Sequence, residues 1–247
     1  MANLMRTSNP ALNERAFRSQ VAYGEAMTLQ GTVNKTGLLL LCVVVTAAWT
    51  WGLSHSETPE AALPWMLGGV FGGFVMALVT VFRKEWSPVT SPIYSLLEGL
   101  ALGGISAMLE QRYPGIAIQA VGLTFGTLLA MLLAYKSGVI RATEKFKIGV
   151  FAATGGIMLL YLVDIVLHFF NRPMPFIHEG TPVGVAFSLF VVVIAALNLV
   201  LDFDLIETGV NNGAPKYMEW YGAFGLMVTL IWLYLEILRL LAKARRR

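Results

Sequence analysis

Charged residues in this chain fall at intervals, and the stretches between them stay apolar for far longer than a soluble helix requires. Four stretches contain no Asp, Glu, Lys or Arg and are each long enough to cross a hydrocarbon core of about 30 Å: Thr36 to Ser56, Ala61 to Phe82, Tyr113 to Tyr135 and Gly180 to Leu201. Three more reach that length once a single acid is admitted: Trp86 to Leu109 with Glu98, Ile148 to Asn171 with Asp164, and Trp220 to Leu238 with Glu236. Turn signals separate them, at Thr58-Pro59, Ser87-Pro88, Ser91-Pro92, Pro114-Gly115, Ser137-Gly138, Arg172-Pro173 and Asn211-Asn212-Gly213 with Pro215. The runs are too uniformly apolar for barrel strands, which alternate over about ten residues. The pattern predicts an all-α integral membrane protein, a bundle of seven transmembrane helices over residues 35–242, with an N-terminal tail at 1–34 and a basic C-terminal tail at 243–247.

Composition agrees with that pattern, since the chain is 56% hydrophobic and 13% charged, where soluble domains carry about a quarter charged residues. A net charge of +3 does not point to nucleic acid, because Lys and Arg cluster at the ends of apolar runs instead of on one polar face. The same residues predict an orientation. With the N-terminus in the cytoplasm, the inner segments hold Arg6, Arg15, Arg18, Lys35, Arg83, Lys84, Lys136, Arg141, Lys145, Lys147 and Lys216, against Arg112 and Arg172 in the first three outer loops. Seven crossings then leave Arg239, Lys243, Arg245, Arg246 and Arg247 outside, an exception to the rule; a re-entrant segment is the alternative.

Residues 1–34 are polar and mixed in charge, unlike a signal peptide. Leu12, Ala16, Phe17 and Val21 recur at helical spacing with Arg15 and Arg18 between them, so this tail reads either as an amphipathic helix on the inner surface or as a flexible segment. Gly68, Gly69, Gly72 and Gly73, and Gly99 with Gly103, form Gly-x-x-x-Gly pairs that predict close helix approach. Cys42, alone in an apolar run, reads as a small buried hydrophobe. No zinc-protease helix, nucleophile elbow or phosphate loop is present, and Leu201-Asp202-Phe203-Asp204 lacks the glycine context of an intramembrane aspartyl protease. No enzymatic activity and no cofactor are expected.

The acids inside the spans carry the functional expectation. A carboxylate at the bilayer centre costs roughly 2.5–3.5 kcal/mol on insertion scales, so Glu98, Asp164, Asp202, Asp204 and Glu236 must be protonated, paired or facing water. Asp164 and His168 share one helix face, as do Asn198 and Asp202. Straight-helix depths predict an inner group of Glu98, Asp202 and Asp204 with Arg83 as the nearby cation, and an outer level of Asp164 and Glu236.

Four stretches together resemble a bacterial branch of the Bax inhibitor-1 family: Met27 to Leu40, Glu85 to Ser106, Ala195 to Ile206 (AALNLVLDFDLI), and the ending from Pro215 through LYLEIL. The resemblance spans nearly the whole chain. It implies seven helices with the last one central and wrapped by the other six, an inner-membrane location, and a pH-sensitive calcium leak. It also implies a gate in which Asp202 and Glu236 share a proton and exchange with an arginine, here Arg83, making Asp202 and Glu236 the calcium ligands to be expected. The depth estimate instead separates Asp202 from Glu236, and Glu stands where the family usually has Asp. Calcium, protons and the lipid bilayer are then the partners. The competing reading is a non-conducting regulator that binds a membrane AAA protease or another integral partner through the tail and glycine faces.

Overall fold

The computed structural model describes residues 25–56, 58–170, 174 and 179–246. Seven helices long and apolar enough to cross a membrane follow one another. They are α1 (Leu29–Ser54), α2 (Ala62–Phe82), α3 (Ser87–Arg112), α4 (Ile116–Lys136), α5 (Glu144–Phe169), α6 (Pro182–Asn211) and α7 (Met218–Arg245). The all-α membrane bundle expected from the apolar runs is therefore present. The amphipathic pattern at Leu12 to Val21 lies outside the described residues.

Several helices extend past the boundaries that charge alone suggests. The Thr28 hydroxyl caps α1 by accepting from the Gly31 amide at 2.9 Å, two turns before Thr36 and inside the segment assigned to the tail. Thr143 caps α5 and Thr181 caps α6 in the same way, the latter followed by Pro182 in the first turn. At its other end α6 continues through Asp202 and Asp204 to Asn211, and α7 continues through Lys243 to Arg245. Asp204 and Lys243 are held by partners from other helices, so they do not end the helix.

Lipid tails are as apolar as leucine, so helix association in a membrane rests on close packing and polar contacts more than on the hydrophobic effect. The glycine pairs supply that closeness. Gly99 and Gly103 of α3 lie directly on α1, where a Cβ would overlap the Thr46 and Thr50 hydroxyls and the Val43 and Ala47 carbonyls. Gly69 and Gly73 of α2 lie on α3, against the Leu97 carbonyl and the Glu98 side chain. Gly68 faces open space and Gly72 meets only the Leu97 side chain, so of the four α2 glycines only Gly69 meets the α3 backbone.

The last helix is the central one. Met227, Leu233 and Leu238 are fully buried, and α7 packs against α1, α3, α4 and α6. It is not wrapped by six neighbours: α2 spends its glycine face on α3, and α5 packs on α6, reaching the α7 side chains through Tyr161. Because α1 and α7 begin at the same end, the chain enters and leaves the bundle at opposite ends. At the first end the Met27 amide donates to the Ala214 carbonyl at 2.7 Å and Ala26 bridges Pro215, tying the start of α1 to the α6–α7 turn. At the far end Arg245 donates to the Pro114 carbonyl at 2.7 Å, so the basic C-terminal residues lie opposite Lys35 and Lys147.

Candidate functional site

Helices α3 and α7 run parallel and in register. The Ser87 hydroxyl donates to the Tyr217 carbonyl at 3.0 Å, Tyr94 sets its ring edge on Phe224 with centroids 5.0 Å apart, and Ser106 pairs with the Tyr234 hydroxyl at 2.7 Å. Glu98, eleven residues into α3, therefore sits about 17 Å from the first end, near the middle of the membrane. Its carboxyl lies against Gly73 of α2 and accepts from the Tyr94 hydroxyl one turn earlier.

Asp202 occupies the same level from another side of α7. It faces Gly225 and the Thr229 hydroxyl, and Thr229 is also eleven residues into its helix. The residue is only half-buried overall, yet its Oδ2 atom has no solvent access and no hydrogen-bond partner among the described residues. Ser95 Oγ, on the α3 turn that carries Tyr94, is buried and unpartnered in the same sense. Buried polar atoms are normally satisfied, so the unmet Asp202 oxygen marks a place for a proton, a water or a cation.

A cavity of about 870 Å³ leads toward this level from the first end, bounded by Thr36 of α1, Leu132 and Tyr135 of α4, Phe203 of α6 and Leu226 of α7. Asp204 and Glu207 stand on its wall with Lys136 and Arg141. Asp204 pairs with Lys147 at 2.9 Å, and Glu207 accepts from the Tyr135 hydroxyl. Beyond Leu226 the space between α1 and α4 becomes an apolar groove of about 480 Å³ against Met227, Leu230 and Tyr234.

The pair of Asp202 with Glu236 does not form. Glu236 lies seven residues beyond Thr229, about 10 Å further along α7, where α6 has already passed. There, 2% exposed, it accepts from the Tyr161 hydroxyl at 2.9 Å and from Arg239 at 2.9 Å, and Arg239 also donates to Tyr161 at 2.6 Å. The two do not make a calcium site in this structure, and among the described residues no group of three or more His, Cys, Asp and Glu side chains could hold a metal ion. The two-level expectation fits better: Asp164 lies about 30 Å along α5, buried and accepting from the Met174 amide at 2.8 Å, at the level of Glu236. His168, one turn on, is exposed, while Asn198 donates to Thr154 of α5 at 2.8 Å as an interhelical bond.

Nor is the Arg83 latch formed. Arg83 is exposed at the end of peripheral α2, with its guanidinium 5.9 Å from the Trp86 ring, and Lys147 takes the acid Asp204. Asp202 is also not in the last turn of its helix, because α6 runs nine residues past it. That moves it from the inner level to the middle.

One charged group escaped the sequence reading. Glu219, with no exposed surface, receives Lys35, the Thr28 amide at 2.8 Å, the Thr28 hydroxyl at 2.9 Å and Lys216 at 3.3 Å. Glu25, ahead of Glu219, and then Glu219 itself hold the half-exposed Lys216 ammonium above its ordinary value. A lysine directly before the first apolar run and a glutamate directly before the last were its only sequence signal.

The family model described as Bax inhibitor 1 like matches residues 9–246. No curated protein and no solved structure matches the chain. Since the match takes in almost the entire sequence, this seven-helix membrane protein belongs to the Bax inhibitor-1-like family.

Proposed function

We infer that the protein is a proton-sensitive pathway for cations, calcium foremost, and that Asp202 is its control point. The observation that carries this reading is the buried, unpartnered Oδ2 of Asp202 at mid-depth, next in sequence to Phe203 and Asp204, which line a cavity that reaches in from the first end. A carboxylate there is stable only with a proton or a cation against it, so the two compete for one site. Hard cations prefer oxygen ligands, and Asp202, Thr229 and the carboxylates on the cavity wall supply them. The groove against Met227 and Leu230, whose lining is almost wholly apolar and offers an ion few polar partners, acts as the barrier. Family membership supports the same reading.

The first end then faces the cytoplasm of a bacterial inner membrane, as the distribution of Lys and Arg favours. No covalent chemistry is required of any residue. The test is calcium uptake into liposomes holding the purified protein and a calcium-sensitive dye. Uptake above that of protein-free vesicles, changing between pH 6 and pH 8, is the expected result. Uptake equal to that of empty vesicles at both pH values overturns the pathway and leaves a non-conducting regulator.

A further inference from the structure

The cavity at the first end carries charges of both signs that do not pair with one another. Lys136, the last residue of α4, and Arg141, in the turn that follows, stand on its wall with Glu207 of α6. Arg141 donates to the Gly138 carbonyl of its own turn at 3.3 Å, and among the described residues no acid pairs with it or with Lys136. Glu207 accepts from the Tyr135 hydroxyl and has no cation partner among the described residues. The fourth charge on the wall, Asp204, is answered by Lys147 at 2.9 Å. The rest of the lining is mostly apolar and reaches the gap between α1 and α4, which do not pack closely together; Leu29 and Val33 of α1 stay exposed there. Lys136 ends α4 and Glu207 lies in the last turns of α6, so the charges stand at the headgroup level of the first end. Leu128 of α4 and Leu226 of α7, each eight residues inward from that end of its helix, lie about 12 Å deeper.

We infer that this cavity binds one phosphatidylethanolamine from the leaflet at the first end, with its phosphate at Lys136 and Arg141, its ammonium at Glu207 and an acyl chain over Leu128 and Leu132. Charge complementarity selects the headgroup. A phosphate accepts charge-assisted hydrogen bonds from an ammonium and a guanidinium, and a primary ammonium donates them to a carboxylate. One zwitterion therefore answers all three unpaired charges at once. An anionic lipid answers the two cations but brings further negative charge to the wall that holds Glu207, where like charges cost affinity. Phosphatidylcholine has no ammonium N–H to donate, so it leaves Glu207 without a charged hydrogen-bond donor. The apolar lining selects a lipid over a soluble phosphoethanolamine, because a headgroup alone leaves Leu128, Leu132 and Leu226 uncovered. The inference goes beyond the ion pathway and rests on the charges at headgroup level, not on Asp202, so it stands whether or not ions flow.

The test is native mass spectrometry of the purified protein in micelles doped in turn with phosphatidylethanolamine, phosphatidylcholine and phosphatidylglycerol of the same acyl chains. One phosphatidylethanolamine should be retained with about tenfold preference over either of the others. Glu207→Gln keeps an acceptor for the Tyr135 hydroxyl but loses the charge, and should bring phosphatidylethanolamine to near parity with phosphatidylcholine. Lys136→Gln, at an exposed helix end and breaking no bond, should lower phosphatidylethanolamine retention severalfold, and keeps the test decisive if Glu207→Gln does not fold. Arg83→Gln, exposed at the same end but outside the cavity, should leave the preference intact. Glycerophosphoethanolamine, the same headgroup without chains, should not displace the lipid. Retention of either other lipid at or above that of phosphatidylethanolamine overturns the assignment. So does a preference that survives Glu207→Gln, no loss in Lys136→Gln, an equal loss in Arg83→Gln, or full displacement by the soluble headgroup.

Discussion

Gly103→Leu is expected to abolish the folded bundle or leave it severely destabilised. A Cβ at this position already overlaps the Thr50 hydroxyl and the Ala47 carbonyl of α1, and the second of these is backbone that moves only if α1 moves. Overpacking of a tight interface costs typically about 1–3 kcal/mol, and more where the obstacle is backbone. The α1–α3 and α2–α3 contacts are the most extensive in the protein, so separating α3 from α1 removes the base on which α2 rests. Gly99→Leu should behave alike, against Thr46 and Val43. Gly122→Leu is the control, because nothing stands within 4 Å of a Cβ there. Thermal unfolding in detergent reads the difference; equal stability of Gly103→Leu and Gly122→Leu would show that close approach of α1 and α3 is not what holds the bundle.

The second large effect is expected at Glu219. Breaking a buried ion pair by removing one partner costs about 3–5 kcal/mol, because the remaining charge stays buried without compensation, whereas replacing both partners by apolar groups is often neutral. Lys35→Ala leaves the Glu219 carboxylate with the Thr28 donors and the half-exposed Lys216, so a loss of about 3 kcal/mol is expected. The double variant Lys35→Met with Glu219→Leu should recover most of it. Lys35 also lies 5.4 Å from the Trp220 ring, which makes the indole fluorescence a local probe of the same event. If the single variant unfolds at the temperature of the wild type, the clamp between α1 and α7 contributes nothing.

Much of the architecture was legible because apolar length and turn chemistry report directly on membrane spans. Helix ends were less so. The boundaries at Thr36 and Ile148 were set where charge begins, but Lys35 and Lys147 each find an opposite charge on another element. A charge paired across helices does not stop a helix, and such pairing is invisible in one dimension. The same error placed Asp202 near the inner face, since its helix was cut short by ten residues, from Asn211 to Leu201. The glycine pairs were legible as packing, though sequence alone could not tell Gly69 and Gly73, which meet α3 backbone or Glu98, from Gly68, which meets nothing. The acids were found by the rule that membrane charges are functional, and their depth on straight helices separated Glu236 from Asp202 correctly. What depth could not show is that Glu236 would be answered by Tyr161 and Arg239, residues two helices and three positions away.

The functional account rests on Asp202, and one comparison tests it most directly. Calcium uptake is measured in liposomes from pH 6 to pH 8 for the wild type, Asp202→Asn and Glu236→Gln. An amide has the shape of the carboxyl but neither ionises nor trades a proton for a cation, so Asp202→Asn should lose the pH dependence and fall in rate on the order of tenfold, the factor that about 1.4 kcal/mol of lost cation affinity gives. Glu236 is already held by Arg239 and Tyr161 at another depth, so Glu236→Gln should keep the wild-type pH profile even where it lowers stability. A pH dependence intact in Asp202→Asn and lost in Glu236→Gln would contradict the account.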